Sequence, residues 1–252
     1  MTARGRYIAL EGFDGSGKST QAEMLASHLD AVLTREPGGT PLGEALREVL
    51  LHAEPSEAPS ARTEALLFCA DRAQHIATVV APALETGRDV VTDRSYGSTL
   101  AYQGYGRGLP LDELRALIDY ACRRPAGASG DLPDVILPDV VVLLDVPLAD
   151  SDRRVHRLDR VGGEQMSLLE TAPEAEQSAD HSEEEPSDQR PDGGPDRLEG
   201  EELEFALRVW RSYRELCSAE PDRWVLVDAT GSIDEVAARV IEAVSTHPAM
   251  AD

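Results

Sequence analysis

A glycine-rich segment near the start of the chain ends in a lysine followed by two hydroxyl residues. It runs Gly12-Phe13-Asp14-Gly15-Ser16-Gly17-Lys18-Ser19-Thr20 and matches the pattern G-x-x-x-x-G-K-[ST], called a P-loop. An apolar run precedes it and a stretch of helical spacing follows it, which makes the match a strong signal. The backbone N–H groups and the helix N-terminus would then face the phosphates of a nucleotide, and Lys18 would follow the transferred γ-phosphoryl group.

Two oxygen ligands for a magnesium ion are predicted beside this loop. The Ser19 hydroxyl is placed to bind Mg²⁺. The run Val90-Val91-Thr92-Asp93 ends a predicted strand in an acid, and Asp93 is expected to hold a water of the same ion. Alone, an aspartate after a strand is more often a helix cap or a turn residue. The P-loop upstream and Arg94 beside it favour the metal site.

Three classes of P-loop protein have to be separated. A GTPase needs an Asn-Lys-x-Asp guanine site, which the sequence lacks. Asp228-Ala229-Thr230-Gly231 matches D-x-x-G, but it follows the last predicted strand and is interpreted as coincidence. A motor ATPase usually needs further domains, for which 252 residues leave little room. A small-molecule kinase needs arginines around a second, anionic substrate, because its chemistry is mostly positioning and charge neutralisation.

Arginines stand where such a kinase would need them. Arg35 and Arg94 end the second and third predicted strands, at the sheet edge where ligands bind in open parallel sheets. Arg47 lies on the helix that Pro41 opens. Each alone is as often a surface ion-pairing residue, but together their placement favours anion binding.

Two clusters could bind a flat heterocycle. Phe68 and Arg72 are four residues apart on a predicted helix, so that one could stack and the other donate hydrogen bonds. For Phe68 the alternative is a place in the hydrophobic core. Thr99, Tyr102 and Gln103 share a face of the next helix, and a polar cluster of this kind is not expected in the core.

Five short aliphatic runs are predicted to be buried strands: Tyr7–Leu10, Ala31–Thr34, Asp89–Thr92, Val140–Leu144 and Trp224–Val227. Helical spacing covers residues 18–29, 41–52, 61–86, 97–104, 110–123, 148–158, 199–218 and 232–246. This alternation predicts an α/β fold, with a five-stranded parallel sheet and helices on both faces. Thr40 should cap the second helix, and Pro82 should kink the third before it stops at Gly87.

Charge is distributed unevenly along the chain. The formal charge is −23, of which residues 164–195 carry −9 with ten acids and one base. That segment lacks aromatic residues and is predicted to be disordered. The acidic balance argues against nonspecific binding to nucleic acid or to anionic membranes. No apolar run nears the ~20 residues of a membrane span, so we expect a cytoplasmic protein with its three cysteines reduced.

Several segments resemble the bacterial type of the thymidylate kinase family. They are residues 91–103 around the Asp93-Arg94 pair, residues 35–40 after the second strand, and residues 67–72 of the third helix. Asp196-Arg197-Leu198-Glu199, followed by Phe205, Arg208 and Tyr213, is similar to the segment after that family's lid. The resemblance spans residues 6–158 and 196–246. It implies a P-loop kinase fold in a single domain over 1–252, with a lid at 148–200 that contains the acidic segment.

The resemblance also implies an activity and roles for the site residues. The activity is transfer of the γ-phosphoryl of ATP to dTMP by a homodimer that uses Mg²⁺. Phe68 would stack on thymine, Arg72 and Thr99 would bind its polar edge, Tyr102 would pack under the sugar and disfavour a 2′-hydroxyl, and Gln103 would line the same pocket. Arg94, Arg35 and Arg47 would clamp the phosphate of dTMP. Asp14, Lys18 and Arg94 are the expected catalytic residues in these segments.

The sequence departs from the family pattern at two places. Some members carry an arginine inside the P-loop, where this chain has Gly15, so the transition-state charge has to be met from elsewhere. The resemblance to bacterial members implies arginines of the lid. Arg153 and Arg157 are the chosen candidates, with Arg154 and Arg160 beside them. The second departure is the acidic segment in the lid. A kinase for another deoxynucleotide or for a nucleoside, and a nucleotide-gated binding protein without turnover, are the alternative functions.

Overall fold

The architecture is a parallel sheet between two layers of helices, in a computed structural model that describes residues 4–54, 56–128, 132–148, 150 and 203–250. The strands are β1 (Tyr7–Glu11), β2 (Val32–Arg35), β3 (Val90–Asp93), β4 (Val140–Asp145) and β5 (Trp224–Asp228), in the order β2-β3-β1-β4-β5. Every pairing is parallel. The predicted α/β fold with five parallel strands is therefore confirmed.

The prediction that all five strands are buried is wrong for the two edge strands. Leu33 on β2 is 47% exposed and Leu226 on β5 is 48% exposed, whereas β1 is buried along its whole length. An edge strand has a neighbour on one side only, and the helices that cover the middle of the sheet leave part of β2 and β5 open. The central position of β1 puts the loop that follows it at the middle of the sheet edge.

Helices cover both faces of the sheet. Helices α1 (Lys18–Leu29) and α8 (Ile233–Thr246) pack on the face that carries Ile8 and Leu10. The opposite face, with Ala9, is covered by α3 (Ala61–His75), α5 (Tyr96–Thr99), α6 (Leu111–Ala121) and α7 (Leu203–Ala219). Alternate residues of β1 thus enter two separate cores, as the two-residue period of a strand requires. Helix α2 (Pro41–Leu51) packs on α3, and the Thr40 side chain caps it as predicted.

The long third helix contains an irregular turn. Helix α3 (Ala61–His75) continues into a π-helical turn at Ile76–Val80 and then into α4 (Ala81–Glu85). A kink at Pro82 stays a prediction, but the π-helical turn lies directly before this proline, whose ring conflicts with the carbonyl one turn earlier. Gly87, at a φ of 78°, follows the helix end as predicted. Helix α5 (Tyr96–Thr99) also runs on into a π-helical turn, Leu100–Gly106.

Apart from Leu148 and Asp150, the predicted lid lies outside the described residues. This lid was predicted at 148–200, with a helix at 148–158 and the acidic segment at 164–195. Its role and the single-domain assignment over 1–252 stay predictions. None of the described helices is both long enough and apolar enough to cross a membrane.

Candidate active site

The P-loop wraps around the start of α1, where β1 ends. Gly15 and Gly17 have φ of 73° and 93°, a backbone region that favours glycine. A side chain at Gly17 would meet nothing within 4 Å, so the space beside this residue is open. The Lys18 ammonium lies 3.0 Å from the Phe13 carbonyl and 3.8 Å from the Asp14 carboxylate. Burial, with Arg94 nearby, lowers the pKa of Lys18 from its usual value.

A cavity of about 740 Å³ opens at the carboxyl ends of β1, β2 and β3. Most of the P-loop lines it, and so do all eight residues predicted to bind dTMP and both predicted metal ligands: Asp14, Gly15, Gly17, Lys18, Ser19, Thr20, Arg35, Arg47, Phe68, Arg72, Asp93, Arg94, Thr99, Tyr102 and Gln103. Gly12, Phe13 and Ser16 do not line it. The Phe13 ring packs against the core, and the Gly12 carbonyl accepts a hydrogen bond from Arg94.

Ser19 and Asp93 form a pair that fits a divalent cation. The Ser19 hydroxyl donates to Asp93 Oδ2 at 2.5 Å, and the buried Asp93 Oδ1 has no hydrogen-bond partner within the described residues. Two hard oxygen donors side by side suit Mg²⁺. The described residues hold no group of three or more His, Cys, Asp and Glu side chains that could bind a metal. A site here would thus complete its coordination with water and phosphate oxygens, as Mg²⁺ usually does.

Asp14 connects the P-loop to the turn after β3. It forms an ion pair with Arg94 and accepts a hydrogen bond from the Tyr102 hydroxyl at 2.6 Å. Burial alone would raise the pKa of the Asp14 carboxyl, but Arg94, Lys18 and Tyr102 outweigh it and hold the pKa below its usual value. The Arg94 guanidinium also lies over the Tyr102 ring, 5.3 Å from its centroid. The negative charge of Asp14 therefore holds two cavity-lining side chains in place.

Arg94 has an unusual backbone conformation that Glu11 supports. Its φ is 70°, in the left-handed region that side chains rarely adopt. The buried Glu11 Oε1 accepts from the backbone N–H groups of Ser95 and Ser98, each at 2.9 Å. Its other oxygen accepts from the Ser98 hydroxyl at 2.7 Å and from the Tyr213 hydroxyl of α7 at 3.2 Å. Burial raises the pKa of Glu11 despite these donors.

The far end of the cavity holds a fully buried arginine. Arg72 donates from Nε and Nη2 to Glu36 Oε2, both at 2.8 Å, and from Nη1 to the Thr99 hydroxyl at 3.2 Å. Glu36 Oε1 lies 2.9 Å from His75 Nδ1, and His75 Nε2 lies 2.8 Å from the Thr34 hydroxyl. Burial opposes the charged form of Arg72, but Glu36 together with Cys69, Cys122 and Tyr7 outweighs it and raises the pKa of Arg72 strongly. Its guanidinium is thus oriented by the protein itself.

The polar cluster on α5 and its π-helical turn is more buried than predicted. Thr99, Tyr102 and Gln103 are as buried as core residues, and Tyr102 packs against the rings of Phe205 and Tyr213. The expectation that these residues lie outside the core was wrong for Tyr102, because its ring faces the core while its hydroxyl reaches Asp14. Phe68 is half-buried and borders both the core and the cavity.

The other predicted arginines differ in position. Arg35 is exposed and pairs with Glu44 at 2.9 Å, and Arg47 donates to the Pro37 carbonyl at 3.1 Å. Both line the cavity, so they can reach a ligand from the loop after β2. Arg153 and Arg157, together with Arg154 and Arg160, lie outside the described residues.

Sequence reasoning missed the acids that orient these side chains. Glu11, Glu36 and Glu64 are all buried beside the cavity. Each stood next to a motif that was recognised: Glu11 before the P-loop, Glu36 after Arg35, and Glu64 one helical turn before Phe68. The signal that could have identified these acids was their position: a charged residue at the end of a buried strand, or on the same helix face as a recognised motif.

Comparisons with known proteins agree on one family. The family model "Thymidylate kinase" matches residues 10–171. The thymidylate kinase of Synechococcus sp. (strain JA-3-3Ab) is 41% identical over 239 residues, which are 93% of this chain and 92% of that protein. The thymidylate kinase of Leifsonia xyli subsp. xyli is 41% identical over 241 residues, covering 94% and 92% of the two chains.

A solved structure gives the same result at the level of the fold. The crystal structure of thymidylate kinase from Ehrlichia chaffeensis superposes with a TM-score of 0.64 at 25% sequence identity, covering 95% of this chain and 98% of that one. The family model spans more than half of the sequence, and the relatives are similar to this chain along nearly their whole length. The chain belongs to the thymidylate kinase family, whose members are nucleoside monophosphate kinases.

Proposed function

We propose that the protein transfers the γ-phosphoryl group of ATP to dTMP, giving ADP and dTDP. The observation that carries the proposal is the single cavity into which the P-loop and the Phe68–Arg72 face of α3 both open. One end offers backbone amides and Lys18 to a triphosphate, and the other offers an aromatic ring and a fixed guanidinium to a base. A reaction between two phosphorylated substrates needs both of them bound in one cavity, because positioning supplies most of the catalysis.

At the ATP end, the P-loop amides and the N-terminus of α1 bind phosphate oxygens, and Lys18 accompanies the γ-phosphoryl group. Lys18 is held between the Phe13 carbonyl and Asp14 and lines the cavity, which supports this role. Ser19 and Asp93 would hold Mg²⁺, Asp93 through a water. When bound, the ion would offset negative charge on the phosphates.

At the dTMP end, Phe68 stacks on thymine, and Arg72 and Thr99 bind its polar edge, with Gln103 beside them. Tyr102 lies under the sugar and leaves no room for a 2′-hydroxyl. Arg94, with Arg35 and Arg47, binds the phosphate that attacks the γ-phosphoryl group. Asp14 positions Arg94 and Tyr102 through its two oxygens, which supports a role for this carboxylate in aligning the acceptor. Arg153 and Arg157 are proposed to add positive charge from the lid.

The protein is further proposed to act as a cytoplasmic homodimer. The support for a dimer is a set of exposed apolar side chains on the adjacent helices α2 and α3: Leu42, Val49 and Leu66, each about half exposed. Exposed apolar residues on neighbouring helices favour burial against a second copy.

The test is ADP release measured with dTMP, dUMP, dCMP, dGMP and thymidine as acceptors. We expect the highest kcat/KM with dTMP, a requirement for Mg²⁺, and no turnover by Lys18→Ala. Preference for another acceptor would support the alternative of a different nucleotide or nucleoside kinase. ATP binding without turnover of any acceptor would support a nucleotide-gated binding protein.

A further inference from the structure

The amide of Gln103 is oriented by a buried carboxylate. Gln103 Nε2 donates to Glu64 Oε1 at 2.7 Å, and the two residues are 1% and 0% exposed. A carboxylate accepts hydrogen bonds and has none to give, so the nitrogen of the amide must face Glu64. Arg107 lies beside the same carboxylate, with Nε 3.4 Å from Oε1, and supplies the opposite charge that a buried acid needs.

The oxygen of the Gln103 amide is thereby left for a ligand. Gln103 lines the cavity, and no hydrogen bond to its amide oxygen is formed by the described residues. Glu64, Phe68 and Arg72 follow one another at four-residue intervals on α3 and therefore lie along one face of the helix. The residue that orients Gln103, the proposed stacking ring and the proposed base-binding arginine thus belong to one rigid element.

Together, Arg72 and Gln103 present a donor and an acceptor. The guanidinium of Arg72 has only N–H donors, and Glu36 and Thr99 fix its orientation. Thymine offers a carbonyl oxygen at O4 and a donor at N3–H, which matches this pair. Cytosine offers an amino group at C4 and a lone pair at N3, so both of its edge groups meet a like partner. Uracil has the same polar edge as thymine.

We propose that Glu64 is a positioning residue that makes the protein select thymine over cytosine, by holding the Gln103 amide with its oxygen toward N3 of the base. The inference rests on the proposed function. It predicts that base discrimination depends on a residue that does not itself contact the base. An unpaired buried polar group discriminates strongly between substrates, because the wrong base leaves it without a partner.

The experiment compares the kcat/KM of wild type and Glu64→Gln for dTMP, dUMP and dCMP. A glutamine at position 64 can donate or accept, so the Gln103 amide is free to turn its nitrogen toward the base. We expect the preference for dTMP over dCMP to fall about tenfold or more, mostly through the KM of dTMP. The ratio of dUMP to dTMP should stay unchanged, because both bases carry N3–H. An unchanged dCMP ratio, or a dUMP ratio that changes equally, would overturn the proposal.

Two further variants isolate the path through Gln103. Gln103→Leu should lose the same discrimination, and adding Glu64→Gln to it should change the dTMP to dCMP ratio no further. A full additional loss in the double variant would contradict the proposal. Retained discrimination in Gln103→Leu would contradict it even if Glu64→Gln failed to fold. Glu242→Gln, the same exchange at an exposed position of α8, should behave as wild type. Wild type that does not phosphorylate dTMP would instead refute the proposed function.

Discussion

Arg72 is oriented by Glu36 and Thr99, and this makes its removal costly in two ways. Its Nε and Nη2 groups neutralise the buried Glu36, so Arg72→Ala would leave that carboxylate buried without its counter-charge. Breaking a buried ion pair from one side costs about 3–5 kcal/mol, and we expect a clear fall in Tm. If Arg72 binds the base, the KM for dTMP should rise about tenfold or more while the KM for ATP changes little.

Steady-state kinetics and thermal unfolding of the same preparation check this expectation. Arg72→Lys is the informative companion, because it keeps the charge beside Glu36 and loses the planar fork. Its Tm should fall less than that of Arg72→Ala, with a similar rise in the KM for dTMP. An unchanged KM for dTMP in both variants would remove Arg72 from the base site.

Asp71 should make stability depend on pH. It is fully buried, its Oδ1 accepts from the Gly38 N–H at 3.1 Å, and its Oδ2 has no partner among the described residues. Burial and the nearby charge of Glu36 raise the pKa of Asp71 to about 7, despite Gly38, His75 and Arg72. The folded protein therefore keeps a proton that the unfolded chain releases at lower pH. The contribution of Asp71 to stability is present in acid and is lost as pH rises toward about 7.

Thermal unfolding between about pH 5 and pH 8 tests this linkage. Asp71→Asn cannot ionise, so its Tm relative to wild type should increase with pH, by a few degrees across the range. Two Tm curves that run parallel over the whole range would contradict the raised pKa.

At the scale of elements, the first turn of α5, which follows the turn that carries Arg94, depends on a glycine. A Cβ at Gly97 would stand 2.6 Å from the Trp224 ring of β5 and 2.8 Å from Glu11 Oε1. The ring is rigid and Glu11 holds the turn that carries Arg94, so neither neighbour can yield without moving the site. Gly97→Ala should destabilise the protein by about 1–3 kcal/mol and lower kcat/KM for dTMP.

Denaturant unfolding and kinetics measure both effects. Gly127→Ala serves as a control, because it also replaces a glycine but has nothing within 4 Å of the added Cβ. It has a positive φ of 87°, so it reports the cost of backbone strain alone. Equal kcat/KM values for the two variants would show that the space beside Trp224 is irrelevant to activity.

The elements themselves were largely predictable from sequence. Each strand begins and ends within one residue of its predicted bounds, because buried parallel strands are short aliphatic runs between turn residues. Strand order was not predictable from periodicity, and this is why β2 and β5 were expected to be buried. The π-helical turns at Ile76–Val80 and Leu100–Gly106 were also missed, since a single extra residue per turn hardly changes the apolar pattern.

The motifs of the candidate site were predictable from the sequence, but the buried acids that hold its side chains in place were not. The P-loop and the Asp93-Arg94 pair carry local patterns that identify them. The contacts of Glu11 with Ser98 and Tyr213 join residues 87 and 202 positions apart. Partnerships at such distances leave no trace in local spacing, so the buried acids could not be assigned to their arginines and hydroxyls in advance.

At the scale of the whole molecule, the exposed apolar residues of α2 and α3 lead to a prediction about assembly. Val49→Glu and Leu66→Glu each place a charge in the surface proposed to join two copies, so sedimentation should shift from dimer toward monomer. Ile233→Glu, at an equally exposed apolar residue at the start of α8, should leave the mass unchanged. A monomeric wild type at all concentrations would contradict the proposed homodimer.

Helix α3 carries three residues of the proposed base pocket along one continuous helix. Arg72 lies eight positions after Glu64, which corresponds to a rise of about 12 Å along the helix axis at 1.5 Å per residue. No loop lies between these side chains, so the pocket cannot lengthen by a local hinge. To accept a purine, the protein would therefore need smaller side chains at several successive turns of this helix. A single substitution is not expected to make enough space.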